Sequence, residues 1–122
     1  MKRTIQIGET GVEMLATALT PVLYKRFFRE DFLVEVLKLQ PKDEEDAQEK
    51  GLLASELYGK LGFIMTMQNE KPFSELPKLT ETDYWEWLNR YEPTDVMKAA
   101  QDIGALWVDQ SESTSKPKKE DG

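Results

Sequence analysis

The stretch from residue 20 to residue 39 has helical periodicity and is apolar on nearly every side. One face carries Tyr24, Phe28, Phe32, Val36 and Leu39. The opposite side carries Leu23, Phe27, Val34 and Leu37. A helix of this kind either lies at the centre of a fold, contacted from two sides, or forms a subunit interface. We favour the central position, and the alternative leaves homo-oligomerisation open.

The segment before this helix predicts a β-hairpin. In KRTIQIGETGVEML, Ile5 and Ile7 alternate with polar residues, and residues 8–11 favour a turn. Two strands alone are only marginally stable in water, so the hairpin is expected to pack on helices. Thr20 and Pro21 then predict the start of the first helix, with Thr20 as its N-cap and Pro21 at the first helical position.

Two more helices are predicted in the middle of the chain. The acidic run at residues 43–46 suits a helix N-terminus, and the helix that it begins is expected to continue to about Gln68. Thr80 begins the next helix, and Asp83 is placed to complete a capping box with it. Both helices present an apolar stripe, so each is expected to contribute to a common core.

The last helix begins at Pro93 and is expected to end near Gln110. Residues 111–122 contain no apolar side chain except one proline, so they are predicted to be disordered. We therefore expect a single helical domain with an N-terminal hairpin over residues 1–110, followed by a disordered tail over residues 111–122. The predicted fold class is mainly α, with about four helices and a short N-terminal β-hairpin.

Composition argues against enzymatic chemistry. The 122 residues include no cysteine and no histidine, so disulfides, thiolate nucleophiles and Cys-type zinc sites are excluded, as is the usual general base near neutral pH. The serines, lysines and carboxylates do not form a recognisable catalytic motif. The sequence also has no glycine-rich phosphate loop between a strand and a helix. We expect no enzymatic activity, no catalytic residues, no cofactor and no metal.

Charge and hydropathy limit the partners. The formal net charge is −7, and residues 80–110 carry two basic and seven acidic side chains. This acidity argues against nucleic acid as a partner, because nucleic-acid binding needs clustered lysine and arginine. No apolar run approaches the roughly 20 residues that span a bilayer, so no membrane partner is expected and the protein is predicted to be soluble and intracellular.

The aromatic cluster YWEWLNRY at residues 84–91 is the densest unusual feature. Tyr84, Trp87 and Tyr91 share a helical face and are expected in the core, whereas Trp85 lies about 100° away from Tyr84. Trp85 is therefore expected either to be exposed as a protein-binding residue or to be buried against the long loop. The candidate partner-binding residues are Trp85, Phe27 and Leu23.

Four segments, in their order along the chain, resemble the tail assembly chaperones of long-tailed bacteriophages, of the type found in phages and prophages of Gram-positive bacteria. They are TALTPVLYKRFFREDFL, LGFIMTMQNE, YWEWLNRYE and IGALWVDQSESTSKPKK. The first has a threonine-proline helix start followed by Tyr24, Phe28 and Asp31 at helical spacing. It departs from the family pattern at Arg29, where a glycine is more usual. The resemblance covers nearly the whole chain.

This resemblance implies a function without catalysis. Such chaperones bind the tape measure protein, keep that long helical chain soluble and recruit the major tail protein, and they work in the cytoplasm of the bacterial host and are absent from the mature virion. In many relatives a ribosomal frameshift near the end of the gene appends a second domain that contacts the tail-tube protein. Pro117, Lys118 and Lys119 are the candidate frameshift or linker region, because CCA AAA AAG can encode them.

A second reading of the same chain is an acidic protein-binding inhibitor, or a nucleic-acid mimic, encoded by a phage. The net charge of −7 favours this reading. The tail argues against it, because residues 111–122 carry equal numbers of basic and acidic side chains. Gene order discriminates between the two, since a chaperone gene is expected between a tail-tube gene and a very long coiled-coil gene.

Overall fold

A computed structural model describes the backbone of residues 2–39 and 44–115 and the side chains of residues 2–39 and 50–107. Its elements are β1 (Lys2–Ile7), β2 (Thr10–Leu15), α1 (Leu19–Phe28), α2 (Phe32–Leu37), α3 (Glu44–Glu70), a 3-10 helix (Phe73–Lys78), α4 (Glu81–Leu88) and α5 (Pro93–Ser115). The prediction of a mainly α fold with a short N-terminal β-hairpin is confirmed.

The two strands pair antiparallel, with Ile5 opposite Val12 and Ile7 opposite Thr10. Gly8 forms the turn with a φ of 66°, a value that glycine adopts at little cost. Because side chains alternate along each strand, one face of the hairpin buries Ile5, Ile7 and Val12 while the other is exposed. The buried face packs on α3 and α5, as expected for a hairpin too small to be stable alone.

The first predicted helix is divided in two, so the prediction of one continuous helix is wrong. Arg29 has a φ of 62° and ends α1, and its backbone N–H donates to the Lys25 carbonyl at 2.8 Å. Asp31 then begins α2, because its carboxylate accepts from the backbone N–H groups of Leu33 and Val34 at 3.0 and 3.3 Å. The apolar periodicity continues across Arg29, and an arginine does not predict left-handed backbone at the position where the resembling family more usually has a glycine.

The break changes which of the apolar side chains are buried. Tyr24 and Phe32 are fully buried, with ring centroids 5.3 Å apart, so the two short helices still share an aromatic contact. Val34 and Leu37, however, are exposed on α2. The apolar segment is therefore not enclosed on two sides along its length, and the central position belongs to α3.

A buried hydrogen-bond network joins the start of α1 to the end of α3. The Thr20 hydroxyl donates to Gln68 Oε1 at 2.6 Å, and Gln68 Nε2 donates to the Thr17 hydroxyl at 3.0 Å. The Thr17 backbone N–H donates to Thr20 Oγ1 at 3.0 Å. The prediction that Thr20 is the N-cap is wrong, because α1 begins at Leu19 with Ala18 as its N-cap. The Thr20 hydroxyl instead forms the hydrogen bond to Gln68, which joins two helices.

The helix α3 forms the centre of the fold. Its residues 61–68 are all buried, and it contacts β2, α1, α2, α5 and the 3-10 helix. Gly62 permits this crowding, because a Cβ atom there would lie 2.8 Å from Ile103 Cδ1 and 3.4 Å from Met14 Cε. The glycine thus lets α5 and β2 approach the same turn of α3.

The start of α4 matches its prediction. The Asp83 backbone N–H donates to Thr80 Oγ1 at 3.3 Å, and the Thr80 backbone N–H donates to Asp83 Oδ2 at 2.8 Å. These two bonds make the predicted capping box. The helix then buries Trp87 completely and leaves Trp85 exposed.

The final helix is longer than predicted. Its inward stripe includes Ala99, Ile103 and Leu106, all buried, and its backbone remains helical to Ser115 instead of ending near Gln110. Residues 116–122 lie outside the described residues, so disorder in that part of the tail stays a prediction.

Replacing Arg29 by glycine is expected to stabilise the protein. Left-handed backbone costs a residue with a Cβ about 1 kcal/mol, and this exceeds the extra entropy of glycine in the unfolded chain. We expect Arg29→Gly to raise the free energy of unfolding by about 0.5 kcal/mol, measured by urea denaturation. Arg26→Gly, inside α1, is the control and should lower it by about 1 kcal/mol. A lower stability of Arg29→Gly would contradict the assigned backbone conformation.

Removing the Thr20 hydroxyl is expected to destabilise the fold. Thr20→Val keeps the shape of the side chain but leaves Gln68 Oε1 buried without its donor, at a cost of about 1–3 kcal/mol. Thr82→Val, at an exposed position of α4, is the control and should change stability by less than about 0.5 kcal/mol. Equal denaturation midpoints for the two variants would show that the network contributes nothing.

Candidate partner-binding groove

An open groove of about 790 Å³ lies between α1, the 3-10 helix and α4. It is lined by Leu23, Arg26, Phe27, Phe28, Arg29, Lys60, Leu76, Pro77, Leu79, Glu81, Tyr84 and Trp85. We refer to this depression as the groove. The structure brings together all three side chains predicted for partner binding, since Leu23, Phe27 and Trp85 line it from two helices more than 50 residues apart.

The apolar floor of the groove is continuous with the hydrophobic core. Leu23 is only 6% exposed, and Phe27 is partly buried with its ring centroid 4.7 Å from that of Phe28 and 5.3 Å from that of Phe63. Leu76, from the 3-10 helix, is also buried. The positions of these side chains are therefore set by packing, which gives a binding surface that needs little reorganisation.

Trp85 is the exposed aromatic side chain of the groove. It is 57% exposed, whereas Trp87, two residues further along α4, is fully buried. Of the two alternatives left open by the sequence, exposure is therefore the one observed. An exposed tryptophan beside an apolar floor is typical of binding hot spots, because its large rigid surface gains much on burial.

Of the basic side chains that line the groove, Lys60 forms an ion pair with a carboxylate of the protein. Lys60 is paired with Glu30 at 3.3 Å and lies 5.3 Å from the centroid of the Phe28 ring. Glu30 also accepts a hydrogen bond from the Tyr24 hydroxyl at 3.0 Å, and burial together with this bond raises the pKa of Tyr24. Lys60, Glu30 and the Tyr24 hydroxyl thus bind one another, so we expect them to stabilise the fold and not to bind a ligand.

Arg26 and Arg29 lie three residues apart at the end of α1, and both are exposed. Neither forms an ion pair with any carboxylate whose side chain the structure describes. The carboxylate among the lining residues is Glu81, at the start of α4. Neither arginine was predicted to bind a partner, and Arg29 stands out in the sequence only as a departure from the family pattern at a position where a glycine is more usual.

Tyr84 forms a wall between the groove and a second depression. This second, apolar depression has a volume of about 430 Å³ and is lined by Leu52, Ser55, Glu56, Gly59, Tyr84, Leu88, Tyr91, Pro93, Val96 and Met97. Burial raises the pKa of Tyr84 to about 12, and the Glu56 carboxylate adds to the rise. The phenol therefore stays neutral at physiological pH.

The raised pKa of Tyr84 predicts a loss of stability in alkali. In an unfolded chain tyrosine loses its proton near pH 10.0, whereas folded Tyr84 holds its proton to about 12. As pH rises through this window the unfolded state releases protons first, so the free energy of unfolding falls. Below pH 10 the contribution is fully present.

Urea denaturation of the wild type and Tyr84→Phe across pH 10–12 measures this effect. The variant should lose less stability over the window, while Tyr24 and Tyr58, whose pKa values are also raised by burial, retain part of the slope. Below pH 10 the two proteins should show the same pH dependence. Identical slopes above pH 10 would mean that the Tyr84 phenol is not protected in the folded state.

The part of the chain that the structure describes also bears on metal binding and on membrane insertion. Within it, no group of three or more acidic side chains is placed to hold a metal ion, and no helix is long and apolar enough to cross a membrane. The candidate frameshift or linker residues Pro117, Lys118 and Lys119 lie outside the described residues. No protein-family model, curated protein or solved structure matches this chain.

Proposed function

We propose that this protein is a tail assembly chaperone of a long-tailed bacteriophage that binds the tape measure protein through the groove. In this proposal it keeps the tape measure protein soluble in the cytoplasm of the bacterial host, helps to recruit the major tail protein and is absent from the mature virion. The function requires no catalytic residue or cofactor.

The observation that carries this proposal is the exposed Trp85 beside the fixed apolar floor of the groove. A chaperone for a long amphipathic helical chain must cover apolar side chains that would otherwise aggregate. A volume of about 790 Å³ is large enough for several side chains of such a helix. The floor is already packed against the core, so binding costs little ordering entropy.

The position of the groove adds support from the family resemblance. Two of the four resembling segments, TALTPVLYKRFFREDFL and YWEWLNRYE, supply α1 and α4 and meet in the groove. The groove is therefore the surface through which we propose that the partner binds.

Co-expression with the tape measure protein of the same phage tests the proposal. We expect the wild-type protein to increase the soluble fraction of the tape measure protein severalfold. Trp85→Ala should remove most of this increase, because truncating a tryptophan hot spot costs about 2 kcal/mol or more of binding energy. Phe73→Ala is the matched control, since Phe73 is an aromatic side chain that is 80% exposed but does not line the groove.

Two outcomes would count against the proposal. If the wild-type protein leaves the solubility of the tape measure protein unchanged, the chaperone function fails. If Trp85→Ala and Phe73→Ala reduce solubility equally, binding occurs outside the groove. Circular dichroism of both variants establishes that they are folded, which is expected because both side chains are exposed.

A further inference from the structure

Two arginines of the groove form no ion pair with any carboxylate that the structure describes, and both are placed to bind a carboxylate of a partner. Arg26 and Arg29 are exposed beside the apolar floor, and the structure shows no ion pair between either of them and the carboxylates of residues 2–39 and 50–107. Lys60, in the same groove, is already paired with Glu30. The groove thus combines the accessible rings of Phe27 and Trp85 with guanidinium groups that no described carboxylate occupies and that can bind a carboxylate in a bidentate manner.

The backbone of Arg29 is a second observation that points the same way. Arg29 is the residue other than glycine that has a positive φ in the described part of the chain. Attraction to the negative end of the α1 dipole explains a cation within the last turn, as at Lys25 and Arg26. It does not explain an arginine at a strained position beyond that turn, where glycine fits better. Local strain of this kind is expected where the side chain contributes to function.

We propose that the groove recognises an amphipathic helical segment that carries carboxylates beside its apolar stripe. The partner's apolar side chains lie on Phe27 and Trp85, above the buried Leu23, and its carboxylates bind Arg26 and Arg29. This inference rests on the proposed function, because it specifies the kind of tape measure segment that the groove takes. Nucleic acid is a poor fit, since two free cations on a protein of net charge −7 neutralise too few phosphates.

The binding of two labelled synthetic peptides tests this proposal. Both are 20-residue helices with leucine at positions i, i+3, i+4 and i+7, one with glutamate and the other with lysine beside the stripe. Fluorescence anisotropy with the full-length protein should show at least about tenfold tighter binding of the glutamate peptide, and added salt should weaken that binding. Equal affinities for the two peptides would overturn the proposal.

Single substitutions at the end of α1 locate the interaction. Arg29→Glu should weaken binding of the glutamate peptide about tenfold or more. Lys25→Glu makes the same change in charge on the same helix but does not line the groove, so it should leave affinity within about twofold. If Lys25→Glu weakens binding as much as Arg29→Glu, only the general charge of the surface matters and the proposal fails.

Arg29→Gly separates recognition from folding. This variant is expected to be more stable than the wild type, so a loss of peptide binding cannot be attributed to unfolding. We expect its affinity for the glutamate peptide to fall about tenfold. Unchanged affinity would remove Arg29 from the site and overturn the proposal.

The remaining outcomes distinguish this inference from the proposed function and from self-association. If the glutamate peptide binds as expected but the tape measure protein is not kept soluble, the chaperone function fails while the charge preference stands. If Arg29→Gly and the wild type solubilise the tape measure protein equally, the function stands and the inference fails. Sedimentation would detect a dimer that Arg29→Glu disrupts, and such a dimer without peptide binding would make a second copy the occupant and overturn the proposal.

Discussion

Burial of α3 on all sides between residues 61 and 68 is the constraint on which the rest of the structure depends. Met14 of the hairpin and Ile103 of α5 both reach Gly62, and Phe63 carries the aromatic contacts to α1 and α4. A Cβ atom at Gly62 would lie 2.8 Å from Ile103 Cδ1, so a side chain there would force the end of Ile103 to move. The same two turns of α3 therefore hold the hairpin, α1, α4 and α5 in place. The shape of the groove depends on how these elements pack on α3.

The sequence predicted most of the elements but not which of them is central. The hairpin, the α3 boundary near Gln68 and the Thr80 capping box all follow from local rules, which act within a few residues. The break at Arg29 does not, because a left-handed conformation is disfavoured for arginine and the apolar periodicity continues across it. Residues 61–68 were predicted to be helical, but they include glycine, threonine and glutamine as well as apolar residues. This polar content is why the sequence did not predict that the helix is buried on all sides there.

The sequence predicted individual side chains of the groove but not that they lie together on one surface. Periodicity placed Trp85 off the buried face of α4 and identified Leu23 and Phe27 as the second apolar side of α1. That these side chains share one surface depends on how α1 and α4 pack against Phe63, which no local pattern contains. No binding role was predicted for the arginines for another reason: Arg26 lies in the last turn of α1, where the helix dipole favours a cation, and the lack of an ion pair between either arginine and a described carboxylate appears only in three dimensions.

The hydrogen-bond network of Thr17, Thr20 and Gln68 has a consequence for the dissociation of a partner from the groove. Hydroxyl and amide groups do not ionise near neutral pH, and their mutual bonds are buried, so ionic strength scarcely affects the joint between the hairpin, α1 and α3. Contacts to exposed guanidinium groups, in contrast, weaken as salt screens them. If a partner binds Arg26 and Arg29 as proposed, changes in the ionic environment act on that binding while the scaffold beneath the groove keeps its shape, so the partner can dissociate without any unfolding of the protein.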